Sequence, residues 1–139
     1  MSVRHLIDTN LIVRYLVQDH ETHAKAATKL FEACDRGAVT LIILPVVLSE
    51  CVFVLESFYK HPRASIAKVL ADLIASPGIE IDDRDIVTDA LKRYGRTKLH
   101  FVDCILAAFA AALKKPVATF DADFKKFPDV QIANPLLDL

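Results

Sequence analysis

Four carboxylates stand where folding alone explains an acidic residue poorly. Asp8 ends the apolar run Leu6-Ile7, Glu50 interrupts residues 42–55, Asp103 interrupts residues 101–113, and Asp121 follows Val117-Ala118-Thr119-Phe120. A lone buried carboxylate costs several kcal/mol, comparable with the whole stability of a small domain. Four of them in one chain imply a positive partner. The simplest is a hard divalent cation, because Mg²⁺ and Mn²⁺ take oxygen ligands. Local roles compete at three of the positions. Asp8 suits an Asx-turn or a cap, Asp103 a cap for a helix starting at Cys104, and Asp121 a cap for a short helix at 123–127. Glu50 has no such alternative, because it falls in mid-helix and capping side chains are short ones at helix ends.

The elements that must position these acids follow from apolar periodicity and punctuation. Residues 3–7 read as a short buried strand, and further strands are expected at 41–44, 79–81, 117–120 and 130–132. Helices are predicted from Thr9-Asn10 to about Val17, from His20-Glu21-Thr22 to near Gly37, and from Pro45 to about Phe58. Three more are expected at 65–76, at 84–94 behind a capping Asp83, and at 101–115, where two lysines precede Pro116. Short strands alternating with helices imply a parallel sheet covered on both faces. Ligands bind outside the carboxyl ends of such strands. Asp8 and Asp121, each directly after a strand, should therefore face one rim. Glu50 has Val46, Val47, Phe53 and Val54 three and four residues away, and Asp103 has Leu106 and Ala107. Both acids thus read as lying on or beside core-facing stripes, and helices starting near the same rim would bring all four together.

The chain has 139 residues, 53% hydrophobic and 25% charged with only three glycines, which fits one helix-rich domain over residues 1–139. Its net charge of −1 creates no global field toward nucleic acid or a membrane, so any RNA contact needs a local basic patch or metal ions. No apolar run approaches the ~20 residues that span a bilayer, and Met1-Ser2-Val3-Arg4-His5 shows no leader pattern. A soluble, cytoplasmic protein is the expectation. Cys34, Cys51 and Cys104 form no C-x-x-C pair and read as buried free thiols. His20-x-x-His23 lacks a third ligand and reads as solvated surface.

At the acidic positions the chain resembles the PIN-domain nucleases, in particular the VapC-type toxins of toxin–antitoxin pairs. The resemblance rests on Ile7-Asp8-Thr9-Asn10-Leu11-Ile12-Val13-Arg14-Tyr15-Leu16, Pro45-Val46-Val47-Leu48-Ser49-Glu50, Phe101-Val102-Asp103-Cys104-Ile105-Leu106-Ala107-Ala108 and Ala118-Thr119-Phe120-Asp121-Ala122-Asp123-Phe124. Their order and spacing cover nearly the whole chain. The resemblance implies a three-layer α/β/α sandwich around a short central parallel sheet. It also implies an endoribonuclease dependent on Mg²⁺ or Mn²⁺, and often a homodimer held by an antitoxin. By position, Asp8, Glu50, Asp103 and Asp121 match the family's acidic quartet, and Asn10 and Thr119 match its supporting polar residues. The fourth acid stays open between Asp121, which directly follows the strand, and Asp123. Metal-activated water leaving a 5′-phosphate and a 3′-hydroxyl is the implied chemistry, and no histidine is needed for it.

Substrate grip requires positive charge, since phosphate contacts dominate nucleic-acid affinity. Arg93, Arg96, Lys98 and His100 precede Asp103 and could line an RNA approach path, with Arg14, Lys125 and Lys126 as weaker candidates. An antitoxin would insert into the acidic cleft and could cover Leu16, Val17 or Phe58. Three other readings compete. A haloacid-dehalogenase-like phosphohydrolase needs a second aspartate where this chain has Asn10, and a receiver domain needs paired acids after its first strand. A domain that binds RNA or a partner without cutting would have no use for four costly acids. Gly37, Gly78 and Gly95 make no nucleotide-binding loop.

Overall fold

The computed structural model describes residues 3–137, so Met1 and Ser2, which open the N-terminal stretch read for a leader, lie outside the described residues. Strand β1 (Val3–Leu6) leads to helix α1 (Thr9–Val17), then α2 (Glu21–Asp35), β2 (Val39–Ile42), α3 (Pro45–Ser57) and α4 (Arg63–Ala75). The second half runs β3 (Ile79–Glu80), α5 (Arg84–Arg96), α6 (Phe101–Leu113), β4 (Val117–Ala118), a 3₁₀ helix at Ala122–Lys126, and β5 (Ile132–Ala133). The mixed α/β order with short parallel strands is the expected fold class.

The three-stranded sheet has the order β1-β2-β3, all parallel, with Val3 opposite Val39 and Leu41 opposite Ile79. Its ladder continues past the strand ends through Ile7 N–H to Ile42 O at 3.1 Å and Ile43 N–H to Glu80 O at 2.9 Å. These bonds carry the chain straight to Asp8 and to Pro45, whose ring suits the first turn of α3. In β2, Leu41 and the following Ile43 are fully buried and the neighbouring residues half-buried, as in a strand covered on both faces.

β1 departs from expectation. Only Ile7 of residues 3–7 is buried, while Val3 and Leu6 are largely exposed. The cause is topological: β4 pairs with β5 in a separate parallel pair, so among the described residues β1 is an edge strand. Pairing with β1 also starts β2 at Val39, two residues before the expected position.

Helix packing holds the rest. Gly78 enters β3 with φ +86°, and a Cβ there would lie 2.7 Å from Cys34 Sγ, so the turn both needs left-handed backbone and admits no side chain. Gly95 brings α5 close to α4, where a Cβ would meet Ala67 Cβ at 3.0 Å. Arg63, two residues before the expected helix start, is the first residue of α4 and ties three elements together. It donates to Glu56 at 2.8 Å, to Tyr94 O at 3.2 Å and to Leu99 O, and its guanidinium lies 3.8 Å from the Tyr94 ring centroid. Burial, and then the nearby Glu56 carboxylate, raise the pKa of the Tyr94 phenol, and no partner reaches its hydroxyl with hydrogen-bond geometry. Asp83 precedes α5 with φ 55° but makes no side-chain cap, contrary to expectation. No helix among the described residues is long and apolar enough to cross a membrane. The three cysteines are free and buried, as expected.

Candidate metal centre

Asp8 ends the ladder extension of β1 and caps α1, its Oδ1 accepting from Leu11 N–H at 3.0 Å. The local and the functional roles coexist there, because this bond uses one carboxylate oxygen and leaves Oδ2 for another partner. Asp121 repeats the arrangement. Its Oδ1 accepts from Asp123 N–H at 2.8 Å at the start of the 3₁₀ helix, and its own N–H donates to Thr119 Oγ1 at 2.9 Å. Thr119 therefore supports Asp121 directly. Asp103 is not a cap: α6 starts at Phe101 behind His100, which places Asp103 in the first helical turn. There the positive end of the helix dipole favours a carboxylate.

None of the candidate acids is buried. Asp8, Glu50, Asp121 and Asp123 are exposed, and Asp103 is half-buried at the edge of α6. This corrects the premise that the four carboxylates are buried charges and, for Glu50, the reading that it lies on or beside a core-facing stripe. Glu50 shows why: α3 is apolar on nearly every face, and its core side carries Leu48, Cys51, Val52 and Leu55. Val46 and Phe53, which flank Glu50 one turn away, lie on the solvent side at 71% and 62% exposure. In such a helix apolar neighbours do not report which face is inside.

The structure brings two of the four acids to one neighbourhood. The buried thiol of Cys51 is pushed up to about 12 by burial first and then by the negative charges of Glu50 and Asp8. α1 packs against α3, and α3 in turn against α6, so the helix bearing Asp103 is the next neighbour. Asp8 and Asn10 border a hollow of about 190 Å³ with Leu11, Arg14, His23 and Ala26. Asp121 and Thr119 open onto a different one, about 240 Å³, shared with Phe120 and Lys125. No three of the described His, Cys, Asp and Glu side chains gather into a group able to hold a metal ion. The oxygen-only donor set and open exposure nevertheless fit Mg²⁺, which keeps several waters and is held by one or two carboxylates plus substrate phosphates. Asp8 and Glu50 are the two acids whose helices pack together.

The basic candidates divide. Arg14 borders the Asp8 hollow, but its charge is committed to Asp19 at 2.8 Å, with Tyr59 Oη 3.4 Å away. The Tyr59 hydroxyl bond, and then Arg14, hold the Asp19 carboxyl below its ordinary range. Arg93 is not available to RNA at all. It is the one buried charged residue among those described, bonded to Asp129 and Asp89. Arg96 and Lys98 remain exposed, and Arg96 borders the hollow between α4 and α5 together with Lys68 and Lys92. Lys125, ranked low on sequence, is the cation beside Asp121. His20 and His23 are exposed as expected and stack at 4.0 Å. His20 has the further task of capping α2, its Nδ1 accepting from His23 N–H at 3.2 Å. Of the apolar positions suggested for a partner, Phe58 is exposed, while Leu16 and Val17 pack partly against the core.

Comparison with known proteins agrees with this order of elements. The PIN domain family model matches residues 5–130, from inside β1 to just before β5. This chain belongs to the PIN-domain family. It is similar to a VapC ribonuclease of Aquifex aeolicus (strain VF5), 25% identical over 122 residues, which are 87% of this chain and 90% of that relative. The matched span of the PIN domain contains all four candidate acids as well as Asn10, Thr119 and Asp123.

Proposed function

We propose that this PIN-domain protein is a metal-dependent endoribonuclease, a single domain over residues 1–139 that hydrolyses RNA phosphodiester bonds. The observation that carries the reading is the packing of α1 against α3, which sets two exposed acids, Asp8 at the cap of α1 and Glu50 on α3, on neighbouring helices. The similarity to a VapC ribonuclease over most of both chains supports the choice of RNA as substrate. Asp8 and Glu50 would hold Mg²⁺ or Mn²⁺, with Asp103 and Asp121 reaching the ion directly or through its waters. When bound, such an ion supplies a more acidic water and positive charge for the phosphate.

The protein's own groups do the positioning. The α1 cap fixes Asp8 so that one oxygen faces outward, and Thr119 fixes the backbone of Asp121. Glu50, whose side chain makes no hydrogen bond or ion pair among the described residues, is free to orient a water or take its proton. Asn10, exposed beside Asp8, offers an amide to the same hollow. Arg96, Lys98 and Lys125, exposed and in no ion pair among the described residues, supply phosphate contacts, whereas the Arg14 charge already has a partner. Asp121 is taken to complete the site, because its carboxylate is held by the Asp123 backbone N–H and its own N–H by Thr119.

The protein acts in the cytoplasm as a toxin, with an antitoxin partner and a homodimeric assembly. The solvent-facing apolar residues Val46 and Phe53 on α3, and Val102 and Leu106 on α6, support an interface beside the acids. The decisive experiment is cleavage of total RNA with Mg²⁺ by wild type, Asp8→Asn and Asp103→Asn, with a chelator control. Loss of cleavage in both variants and with chelator is expected. Equal activity in all three proteins contradicts the nuclease reading. Growth arrest on expression, relieved by the product of an adjacent gene, tests the toxin role.

A further inference from the structure

Arg93 occupies an unusual place for a fully charged side chain, with 6% of that side chain exposed. Nε donates to Asp89 Oδ2 at 2.9 Å, Nη1 to Asp129 Oδ1 at 2.9 Å and Nη2 to Asp129 Oδ2. The guanidinium also lies 5.0 Å from the ring centroid of Phe127. A planar fork matched to both oxygens of one carboxylate fixes angle as well as distance, which a lysine cannot do. Asp89 belongs to the same helix, one turn away. Asp129 and Phe127 belong to the segment that closes the 3₁₀ helix behind Asp121 and Asp123.

The connection on the other side of Arg93 leads to the third acid. The Arg93 carbonyl accepts from Thr97 Oγ1 at 2.9 Å, and the Thr97 hydroxyl oxygen in turn accepts from Leu99 N–H at 3.3 Å. Thr97 Oγ1 also lies 4.0 Å from Cys104 Sγ, the residue after Asp103. One buried arginine thus stands between the two segments that carry Asp103 and Asp121. Backbone ladders do not do this work, because among the described residues β4 and β5 pair only with each other. The buried side chains of Phe124, Phe127 and Val130 hold the segment down, but apolar contacts set distance less sharply than a two-pronged ion pair.

We propose that Arg93 is a positioning residue, which through Asp129 sets the spacing of Asp121 from Asp103 and so tunes the metal centre. The proposal rests on the reading of the acidic site given above. It is tested by Mn²⁺ titration followed by the electron-spin signal of free Mn²⁺, with thermal unfolding of every variant recorded alongside. Asp129→Asn, which alters a side chain 56% exposed, should stay folded and bind Mn²⁺ about tenfold more weakly, at the low end of the effect of outer supports on metal affinity. Arg93→Lys should show the same loss, whereas Asp129→Glu, which can still take both prongs, should recover most of it. In an Asp121→Asn background, Asp129→Asn should cause no further change, a result that general loosening of the fold would not give. Unchanged Mn²⁺ affinity in folded Asp129→Asn, or an equal loss in both backgrounds, overturns the proposal. If Asp8→Asn also leaves Mn²⁺ affinity unchanged, the site reading itself fails and the positioning role falls with it.

Discussion

The two halves of the acidic site are built by different means. Asp8 and Glu50 stand on α1 and α3, packed against each other and rooted in a parallel ladder that runs on through Ile7 and Ile43. Asp121 and Asp123 stand on a short 3₁₀ turn between two strands of two residues each, held by three buried apolar side chains and the Arg93–Asp129 pair. Backbone hydrogen bonds and broad helix contacts fix the first half. Side chains fix the second. The difference teaches that the first pair can be pre-formed, while the second pair is adjustable and answers to residues outside the site.

Substitutions can break this contrast. The largest effect is expected for Glu50→Gln, which should lower RNA cleavage at least about a hundredfold, since even outer supports of metal ligands are worth about 10–100-fold. Its stability should hold within about 0.5 kcal/mol, because the side chain is exposed and makes no hydrogen bond or ion pair among the described residues. Denaturant titration beside the cleavage assay checks both. Next comes Arg93→Met, which leaves Asp89 and Asp129 without their cation. Breaking a fully buried pair costs about 3–5 kcal/mol. About 2–3 kcal/mol is expected by chemical denaturation, because both carboxylates keep contact with water.

Smaller effects sharpen the comparison. Asp8→Ala removes the α1 cap and should destabilise by about 1 kcal/mol, whereas Asp8→Asn caps equally well and should not. Thermal unfolding of the two variants therefore separates the folding role of Asp8 from its proposed catalytic one. The smallest effect concerns acid. The Arg93 hydrogen bonds hold the Asp129 carboxyl below its ordinary range. A carboxyl depressed on folding adds stability above its unfolded pKa, and that stability disappears as pH falls through the folded value. Wild type should accordingly lose stability below about pH 4 more steeply than Asp129→Asn, as read by unfolding midpoints across pH.

Much of this was legible in the sequence where local chemistry decides local structure. Pro45 opened α3 at the expected residue and Asp8 follows the ladder of β1 directly, whereas β4 stops at Ala118 rather than Phe120 and leaves Asp121 three residues beyond it. Legibility failed where a pattern had two readings. Apolar residues surround Glu50 on every side, so periodicity could not tell the solvent face of α3 from its core face. β1 looked buried because its residues are apolar in part, but its exposure depends on whether a neighbour pairs with it, which is a property of the whole sheet. Arg93 looked like a candidate RNA contact because its carboxylate partner Asp129 lies 36 residues away. The signal that would have found it is the helical spacing of Asp89 and Arg93, an i,i+4 pair on the inner side of α5.

The central claim is that Asp8 and Glu50 act as one unit in cutting RNA. The most direct test is the single-turnover cleavage rate in Mg²⁺ for wild type, Asp8→Asn, Glu50→Gln and the double variant. Residues that work as a unit give grossly non-additive losses. The double variant should be no slower than the slower single variant, with each single variant far below wild type. Losses that multiply independently, or rates that equal wild type, would contradict the account.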